Sequence, residues 1–411
     1  MVREAESSDP RRELLLGLLR TGLESVDGRR RVAAALAALP PPASRVWVAA
    51  VGKAAAAMAL GARDALGGAI ERTLVITRDS FALDELSAGQ PAAEVLLGSH
   101  PVPDARSLAA GQRLLAWVEE LPADAEPLFL ISGGSSSLVE VPAAGRTLAD
   151  LEALTREALA SGMAIAELNA RRAALSAIKG GHLAARLGGR AARALFVSDV
   201  PQDDPRVIGS GLMGPASTGA DRVERRVVAR VDDAVAAVAA QAGAQGVKAH
   251  AATARFSGDA WRLAARFAHE LRLAANSDLL VWGGESTVEL PATPGRGGRN
   301  QHLALAAARL IAGHEDLLLL AAGTDGSDGF SEDAGALVDA DTCARIALAG
   351  LEADECLRRA DSARALAASG DLVHTGPTGT NVGDLVIALK LPAHAADFPA
   401  RLRGGARPRM L

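Results

Sequence analysis

The chain has 411 residues, 49% of them hydrophobic and 23% charged, which suits about two or three domains with sizeable cores and excludes wholesale disorder. Its formal net charge of -5 and its 3% aromatic content, without tyrosine, disfavour nucleic-acid binding, which normally needs a basic surface and stacking rings. Two cysteines, Cys343 and Cys356, are too few for a disulfide framework.

The N-terminal segment MVREAESSDPRRE is charged and lacks the apolar core of a signal peptide. Apolar segments elsewhere are too short, or too interrupted by charge, to span a bilayer. We therefore expect a cytoplasmic protein that has neither membrane nor nucleic acid as a partner.

Short apolar runs alternate with longer helical stretches, which is typical of βαβ units and a mainly parallel sheet. In the first half we predict helices over 14–39 and 54–66, further helices from about 107, 147 and 169, and strands over 46–51, 73–77, 94–97, 128–131 and 194–197. After a long helix from about 220 to 244 we predict strands over 247–252, 278–282, 287–290, 317–321 and 384–389, and helices over 258–275 and 302–312. A domain boundary is expected near 235–250.

Two loops that follow apolar strands could hold phosphate, because open α/β sheets bind ligands at the carboxyl ends of their strands. After the first strand, Gly52-Lys53 opens a helix, and the lysine could reach a phosphate or serve only as a helix-start residue. Trp47 stands where a Walker loop has its first glycine. After the strand at 128–131 the chain offers glycines and hydroxyls in the order Ser132, Gly133, Gly134, Ser135, Ser136, which could also form a flexible turn.

Two acidic loops follow later strands. The first contains Asp199, Asp203 and Asp204, and the second contains Asp325 and Asp328. Clustered carboxylates usually meet a cation, and Mg²⁺ bound to substrate phosphates is the commonest reason for them in phosphoryl transfer. For the first loop, Asx turns and helix caps are the alternative explanation, and we expect them to account for at least one of its three acids. Asp325 and Asp328 are candidate ligands or acid/base groups.

Basic residues complement these acids. Arg296 and Arg299 lie among glycines before a helix, where a guanidinium could bind phosphate or carboxylate. The helix from residue 169 is predicted to carry a polar stripe that could be a solvated face or line an anionic cleft: Asn169, Arg172, Ser176 and Lys179. The sequence has no HExxH pair, no GxSxG elbow and no GxGxxG fingerprint, which disfavours a zinc enzyme, a serine hydrolase and classical NAD binding.

Together these loops resemble the type-2 glycerate kinase family, also called the MOFRL family, some members of which are labelled hydroxypyruvate reductase. The resemblance covers nearly the whole chain. Its motifs are VGKA at Val51, GSHPVPD at Gly98, ISGGSSSL at Ile131, LNARRAALSAIKGGHLA at Leu168, SDVPQDDPRVIGSG at Ser198, GGES at Gly283, GRGGRNQ at Gly295, AGTDGSDG at Ala322 and TGPTGTNVGDL at Thr375.

The resemblance implies ATP-dependent phosphorylation of D-glycerate at its 2-hydroxyl, which gives 2-phosphoglycerate, with Mg²⁺ and ATP required. It also implies two α/β domains with mainly parallel sheets and an active site in the interdomain cleft. We expect a Rossmann-like N-terminal domain over residues 1–240 and a MOFRL-type C-terminal domain over 241–411.

Carried over to this sequence, Lys53 resembles an essential lysine near the reacting groups, Asp199 an acid that handles metal or substrate, and Arg299 a charge-stabilising arginine. Asp325 is a second candidate for Mg²⁺ or for the attacking hydroxyl. The expected phosphate and nucleotide contacts are Ser132, Gly133, Gly134, Ser135, Ser136, Gly283, Gly284, Glu285, Lys179 and Thr324.

The chain departs from the family pattern at three points. Position 135 is Ser where the family usually has a third Gly, Gln202 stands where Gly is frequent, and Leu212-Met213 replaces part of an SGPT segment. A related hydroxy acid therefore stays open as the substrate. A hydroxypyruvate reductase and a non-catalytic sugar-phosphate or nucleotide-binding regulator are the alternative functions, and a homodimer is among the assemblies that the sequence allows.

Overall fold

The computed structural model describes residues 9–78, 83–88, 93–161, 165–216, 221–276 and 278–391. These residues form two compact units. The N-terminal unit comprises Val26–Arg230 and Gly379–Val382, and the C-terminal unit comprises the residues up to Ser25, Val231–Thr378 and the residues from Gly383 onwards.

The described α-helices are α1 (Pro10–Ser25), α2 (Gly28–Ala37), α3 (Ala55–Leu66), α4 (Leu83–Ser87), α5 (Ala105–Glu119), α6 (Ser135–Leu138), α7 (Leu148–Ser161), α8 (Ile165–Leu175), α9 (His182–Ala185), α10 (Val231–Ala244), α11 (Ala260–Leu273), α12 (Arg299–Ile311), α13 (Thr342–Leu348), α14 (Ala353–Arg358) and α15 (Ser362–Ser369). The described strands are β1 (Val46–Val51), β2 (Ile70–Thr77), β3 (Glu94–Leu97), β4 (Glu126–Ser132), β5 (Ala192–Val197), β6 (Val223–Ala229), β7 (Lys248–Ala251), β8 (Phe256–Asp259), β9 (Asp278–Thr287), β10 (Leu317–Gly323), β11 (Gly335–Val338), β12 (Leu372–Val373) and β13 (Asp384–Lys390). Short 3₁₀ segments occupy Gly67–Ala69 and Ile208–Gly211.

The N-terminal unit is built on a parallel six-stranded sheet in the order β3-β2-β1-β4-β5-β6. This is the strand order of the Rossmann fold. From β1 the chain first adds strands on one side, as β2 and β3, and then on the other side, as β4, β5 and β6, so the strand order reverses between β1 and β4. Every residue of β1 is buried, as expected for a central strand covered on both faces. Trp117 packs on this sheet between Trp47 and Phe129, with ring centroids 5.7 and 5.6 Å away. The predicted parallel, Rossmann-like sheet is confirmed for this unit.

The C-terminal unit contains a seven-stranded sheet in the order β12-β11-β10-β13-β9-β7, with β8 also paired to β9. Here β10 is antiparallel to β11 and β13, and β13 is antiparallel to β9, while β7 and β8 run parallel to β9. The prediction of mainly parallel sheets is therefore wrong for this unit. A parallel crossover needs about a dozen residues or more, usually a helix, and the segment 324–334 between β10 and β11 contains no helix.

The first helix belongs to the C-terminal unit. A β-carbon at Gly22 would lie 2.9 Å from Val238 of α10 and 3.1 Å from Leu385 of β13, so glycine allows a close approach there. Arg12 forms an ion pair with Asp339 over 2.5 Å. The observed division at residues 25/26 and 230/231 differs from the expected contiguous domains 1–240 and 241–411, because α1 packs on elements from the second half of the chain.

Two predicted long helices are interrupted. The helix expected over 14–39 is two helices, and Asp27 starts the second by accepting a hydrogen bond from the Arg30 amide. Where one long helix is expected from about 220, the structure instead has the strand β6, and the helix α10 begins only at Val231. None of the helices in the described ranges is both long enough and apolar enough to cross a membrane.

Candidate active-site loops

The loops after β1 and β4 meet where the strand order of the N-terminal sheet reverses. The Lys53 amide donates a hydrogen bond to the Gly133 carbonyl over 3.0 Å, and the Ala54 amide donates to Ser132 Oγ over 3.0 Å. Gly52 has a φ of +131°, and a β-carbon there would lie 2.2 Å from Ser132 Oγ. We call residues 52–54 and 132–136 the switch-point loops, and we expect ligands at this edge because such reversals are the usual binding position in α/β sheets.

The side chain of Lys53 lies against Gly134, the second glycine of the loop after β4. Its Cγ lies 3.0 Å from the position that a β-carbon of Gly134 would occupy, and Cδ2 of His100 lies 3.3 Å from the same position. Gly134 has a φ of +82°, a conformation that favours glycine. The loop after β3 therefore brings His100 to the switch-point loops, a position that its sequence context does not indicate.

The carboxylate of Asp199 lies against the other glycine of the pair. A β-carbon at Gly133 would lie 1.8 Å from Asp199 Oδ2 and 2.1 Å from Asn381 Nδ2, so only glycine leaves both side chains in place. Asn381 Nδ2 donates to Asp199 Oδ2 over 3.2 Å. Lys53 and Asp199, 146 residues apart in the sequence, thus flank Gly133-Gly134. Asn381 was missed from sequence because nothing local links the TGTNVGD segment to the first sheet.

The serines of the switch-point loops differ in their bonding. Ser132 Oγ accepts the Ala54 amide and joins the two loops. Ser135 is buried, and its Oγ has no hydrogen-bond partner among the described residues. A β-carbon at Gly209 would lie 2.1 Å from Ser135 Oγ. The 3₁₀ segment Ile208–Gly211 can therefore lie close to Ser135 only because residue 209 is glycine. A buried hydroxyl without a partner is a donor that a ligand could satisfy.

Lys179 lies in a buried ion pair. Its Nζ donates to Glu140 Oε2, and Ser176 Oγ donates to Glu140 Oε1 over 2.5 Å. Burial lowers the pKa of Lys179, while the negative charge of Glu140 acts in the opposite direction. Lys179 was predicted to contact the nucleotide, but its ammonium is enclosed with Glu140. The predicted helical stripe also ends early, because α8 stops at Leu175 and both Ser176 and Lys179 follow it.

Arg299 is the centre of a charged cluster within the C-terminal unit. Its Nε and Nη2 lie 2.7 and 2.9 Å from the two oxygens of Asp384, and its Nη1 lies 2.9 Å from Glu285 Oε1. Asp384 is fully buried at the start of β13. Burial opposes the charge of Arg299, but Asp384 and Glu285 outweigh it and raise the pKa of the guanidinium well above its ordinary value.

Asp328 caps the helix that begins at Arg299. Its Oδ1 and Oδ2 accept the amides of Asn300 and Gln301 over 3.1 and 2.7 Å. Burial raises the pKa of Asp328 from 3.8 to about 7, although the two amide hydrogen bonds favour the charged form. Asp328, a candidate ligand or acid/base group from the sequence, therefore caps α12 instead.

The segment Gly283-Gly284-Glu285 is strand and not loop, which corrects the prediction of a nucleotide-binding GGES turn between two strands. β9 runs through it without interruption. A β-carbon at Gly283 would lie 2.5 Å from Val231, and one at Gly284 would lie 2.1 Å from the carbonyl oxygen of Phe256. Close packing within the unit therefore explains both glycines.

The remaining acidic-loop residues have local partners. The amide and hydroxyl of Thr324 both donate to the Gly383 carbonyl, over 2.9 and 2.7 Å. Asp325 Oδ1 accepts two hydrogen bonds from Ser327, from its amide and its hydroxyl, each over 3.1 Å. Asp204 accepts from the Arg206 amide over 2.8 Å, as an Asx turn does. Within the described ranges, no three His, Cys, Asp or Glu side chains are grouped to hold a metal ion.

Comparisons with known proteins agree with the resemblance found in the sequence. Residues 14–241 match the family described as domain of unknown function DUF4147, and residues 278–384 match the MOFRL family. A D-glycerate 2-kinase from Thermotoga maritima is 34% identical to this chain, over 92% of the chain and 98% of the relative. A protein from Agrobacterium vitis with the provisional name hydroxypyruvate reductase is 37% identical, over 83% of this chain and 98% of its own length.

A solved structure confirms the two-domain α/β fold. The crystal structure of glycerate kinase from Thermotoga maritima matches with a TM-score of 0.81 and 32% identity, over 93% of this chain and 99% of that chain. The first family match alone covers more than half of the 411 residues, and the two matches follow one another along the chain. The chain therefore belongs to the DUF4147 family, with a MOFRL domain as its C-terminal part.

Proposed function

We propose that this protein is an ATP-dependent glycerate 2-kinase, which transfers the γ-phosphoryl group of ATP to the 2-hydroxyl of D-glycerate. The products are ADP and 2-phosphoglycerate. The observation that carries the proposal is the placement of Lys53 and Asp199 on the two glycines at the strand-order reversal. The names of the relatives, a D-glycerate 2-kinase and a glycerate kinase, support the same reaction.

Lys53 is proposed to stabilise the negative charge of the transferring phosphoryl group. Phosphoryl transfer depends mainly on positioning and on compensating charge that spreads over the phosphate oxygens. The lysine side chain lies against Gly134, where the absence of a β-carbon lets it pass close to the loop that we propose contacts the phosphates. We propose that Gly133, Gly134, Ser135 and Ser136 contact the phosphates, with the unpartnered Ser135 hydroxyl as a donor.

Asp199 is proposed to act on the attacking hydroxyl or to hold Mg²⁺. A Mg²⁺ ion in a nucleotide site usually takes one or two carboxylates and completes its shell with phosphate oxygens and water. The single carboxylate of Asp199, set against Gly133 of the loop that we propose contacts the phosphates, fits such an ion. When bound, Mg²⁺ would neutralise phosphate charge. Asp325 stays a weaker candidate because its Oδ1 already accepts two hydrogen bonds.

Arg299 is proposed to stabilise negative charge on the reactants, with Glu285 and Asp384 holding its guanidinium in orientation. Four predicted nucleotide contacts are not retained, because packing or internal hydrogen bonds account for Lys179, Gly283, Gly284 and Thr324. Ser132 is retained only as the link between the switch-point loops.

The test is an assay of the purified protein with D-glycerate and Mg-ATP, followed by phosphorus NMR that resolves the 2- and 3-phosphate products. We expect ADP and 2-phosphoglycerate in equal amounts. A parallel assay supplies hydroxypyruvate with NADH or NADPH. Sustained, protein-dependent oxidation of the dinucleotide without ADP release from glycerate would favour the reductase instead, and activity in neither assay would favour the binding regulator.

The role of Asp199 is separable by a metal titration of Asp199→Asn. If the carboxylate holds Mg²⁺, the Mg²⁺ concentration that gives the half-maximal rate is higher in Asp199→Asn than in the wild type, and the rate of the variant recovers in part at saturating Mg²⁺. If it accepts the proton of the hydroxyl, the rate stays low at every Mg²⁺ concentration. Asp204→Asn is the matched control, since Asp204 bonds its own turn. An unchanged rate and titration in Asp199→Asn would remove Asp199 from the site.

A further inference from the structure

Arg172 on α8 is a partly buried cation with no ionic partner. Among the described residues, none forms a hydrogen bond or an ion pair with its guanidinium. Its neighbour Arg171 is exposed and pairs with Glu157 over 2.8 Å and with Glu167 over 2.7 Å. The two adjacent arginines of α8 thus differ. Arg171 is exposed and paired with carboxylates, whereas Arg172 is partly buried and has no ion pair among the described residues.

Glu140 is the anionic group whose charge acts on Arg172, but it is engaged by other donors. The two carboxylate oxygens of Glu140 already accept hydrogen bonds from Ser176 and Lys179. Glu140 and Lys179 cancel in charge, so the buried cluster keeps one net positive charge from Arg172. A partly buried charge without an ion-pair partner loses part of its hydration, and a bound anion would offset that cost. Burial lowers the pKa of Arg172, in agreement with this imbalance.

This cluster is connected to the switch-point loops within the N-terminal unit. Glu140 lies two residues beyond α6, which begins at Ser135. The Gly180 amide, next to Lys179, donates to the Ser210 carbonyl over 2.9 Å, and the adjacent Gly209 is the residue that approaches Ser135 Oγ. An anion held by Arg172 would therefore belong to the same set of loops as the proposed phosphate contacts.

We propose that Arg172 binds the carboxylate of the hydroxy-acid substrate, an inference that rests on the function proposed above. A guanidinium matches a carboxylate through two parallel N–H donors, and this one has its donors available. Arg299, the other candidate for that task, already donates to Asp384 and Glu285. Arg172 would then determine the substrate class, selecting 2-hydroxy carboxylates over uncharged polyols.

The first test compares Arg172→Met and Arg172→Lys with Arg171→Met as the matched control. Loss of a charge-assisted pair typically lowers affinity roughly 10- to 100-fold, so we expect KM for D-glycerate to rise by that factor in Arg172→Met. KM for ATP should stay within about twofold of the wild-type value. Arg172→Lys, which retains the charge but not the paired donors, should be intermediate, and it decides the question if Arg172→Met does not fold.

The second test measures binding without catalysis, by calorimetric titration of D-glycerate and of glycerol in the absence of nucleotide. Binding of D-glycerate by the wild type and its loss in Arg172→Met supports the inference even if no phosphorylation occurs, in which case the proposed function alone fails. The inference is overturned if a folded Arg172→Met binds D-glycerate as the wild type does. It is equally overturned if KM for ATP rises instead, because Arg172 would then contact phosphate, or if the wild type binds no hydroxy carboxylate.

Discussion

At the scale of single residues, Lys53 is the cation on which the proposed chemistry depends most. Its ammonium would act on phosphate oxygens at the switch-point loops, and charge interactions near protein are stronger than in bulk water. We expect Lys53→Ala to fold normally and to lose about 10²-fold or more of kcat. The measurement is steady-state kinetics together with the melting temperature.

The matched control for this change is Lys248→Ala, because the side chain of Lys248 is 72% exposed on β7. This variant should keep the wild-type kcat and melting temperature. Wild-type turnover in a folded Lys53→Ala protein would exclude Lys53 from the reaction.

Asp328 gives a prediction on stability and pH. Its pKa in the folded protein is about 7, against 3.8 for the ordinary group, so the folded state binds more protons between these values. Stability contributed by this group is therefore present at acid pH and is lost as pH rises from about 4 to 7. The difference in free energy of unfolding between wild type and Asp328→Asn should fall over that interval, by a few kcal/mol at most. Urea titrations at a series of pH values measure it.

Asp204 provides the control for the pH series. Its hydrogen bond with the Arg206 side chain lowers its pKa, so its contribution to stability is lost only as pH falls below about 4. The corresponding difference for Asp204→Asn should stay flat between pH 5 and 7.5. If the Asp328→Asn difference is flat as well, Asp328 is ionised throughout and its burial does not shift its titration.

At the scale of elements, Gly133 in a loop and Gly284 in a strand are expected to respond differently to substitution by alanine. A β-carbon at Gly133 would meet the ends of the Asp199 and Asn381 side chains, which can move, whereas one at Gly284 would meet the Phe256 backbone, which is fixed in the sheet. We expect Gly133→Ala to lower kcat strongly with a small change in stability. Gly284→Ala should lower the free energy of unfolding by about 1–3 kcal/mol or more through overpacking. Denaturant midpoints and kcat for both variants test the contrast, and the reverse pattern would contradict it.

The sequence predicts those elements that local patterns encode. β1, β4 and β5 are short apolar runs between helices, and their parallel arrangement follows from that alternation. The sequence predicts two strands in the region of β9, because glycine pairs usually mark turns. In the structure Gly283 and Gly284 lie inside one strand, where the absence of a β-carbon allows neighbouring atoms to pack closely. Strand direction in the C-terminal sheet depends on pairings distant in sequence, which no local pattern contains.

The sequence predicts only those parts of the candidate site that directly follow apolar strands. Lys53 and the Gly133-Gly134 pair directly follow apolar strands, so their convergence at one sheet edge could be expected. Asn381 could not, because it reaches Asp199 from 182 residues away through a four-residue segment. The internal pairing of Lys179 with Glu140 was also hidden, since a lysine after a helix gives no sign of burial.

At the scale of the whole molecule, the chain passes between the two units four times and not once. Residues 379–382 return to the N-terminal unit and supply Asn381, while α1 belongs to the C-terminal unit. A fragment ending at residue 240 would therefore contain α1 without its partners and Asp199 without Asn381. Ligand-binding measurements should use the full chain.

The full chain provides the most general prediction, which separates a nucleotide kinase from a dinucleotide reductase without depending on turnover. A ligand that binds only the folded state stabilises it by about 2.7 kcal/mol when present at 100 times its Kd. The switch-point loops offer a lysine and an unpartnered hydroxyl, and Asp199 adds a carboxylate beside Gly133, which suits a Mg-nucleotide. We expect the apparent melting temperature to rise by a few degrees with Mg-ATP or Mg-ADP and to stay unchanged with NADH or NADPH. Lys53→Ala should show a smaller rise with Mg-ATP, and Lys248→Ala should respond as the wild type does. Stabilisation by NADH or NADPH but not by Mg-ATP would place the reductase ahead of the kinase.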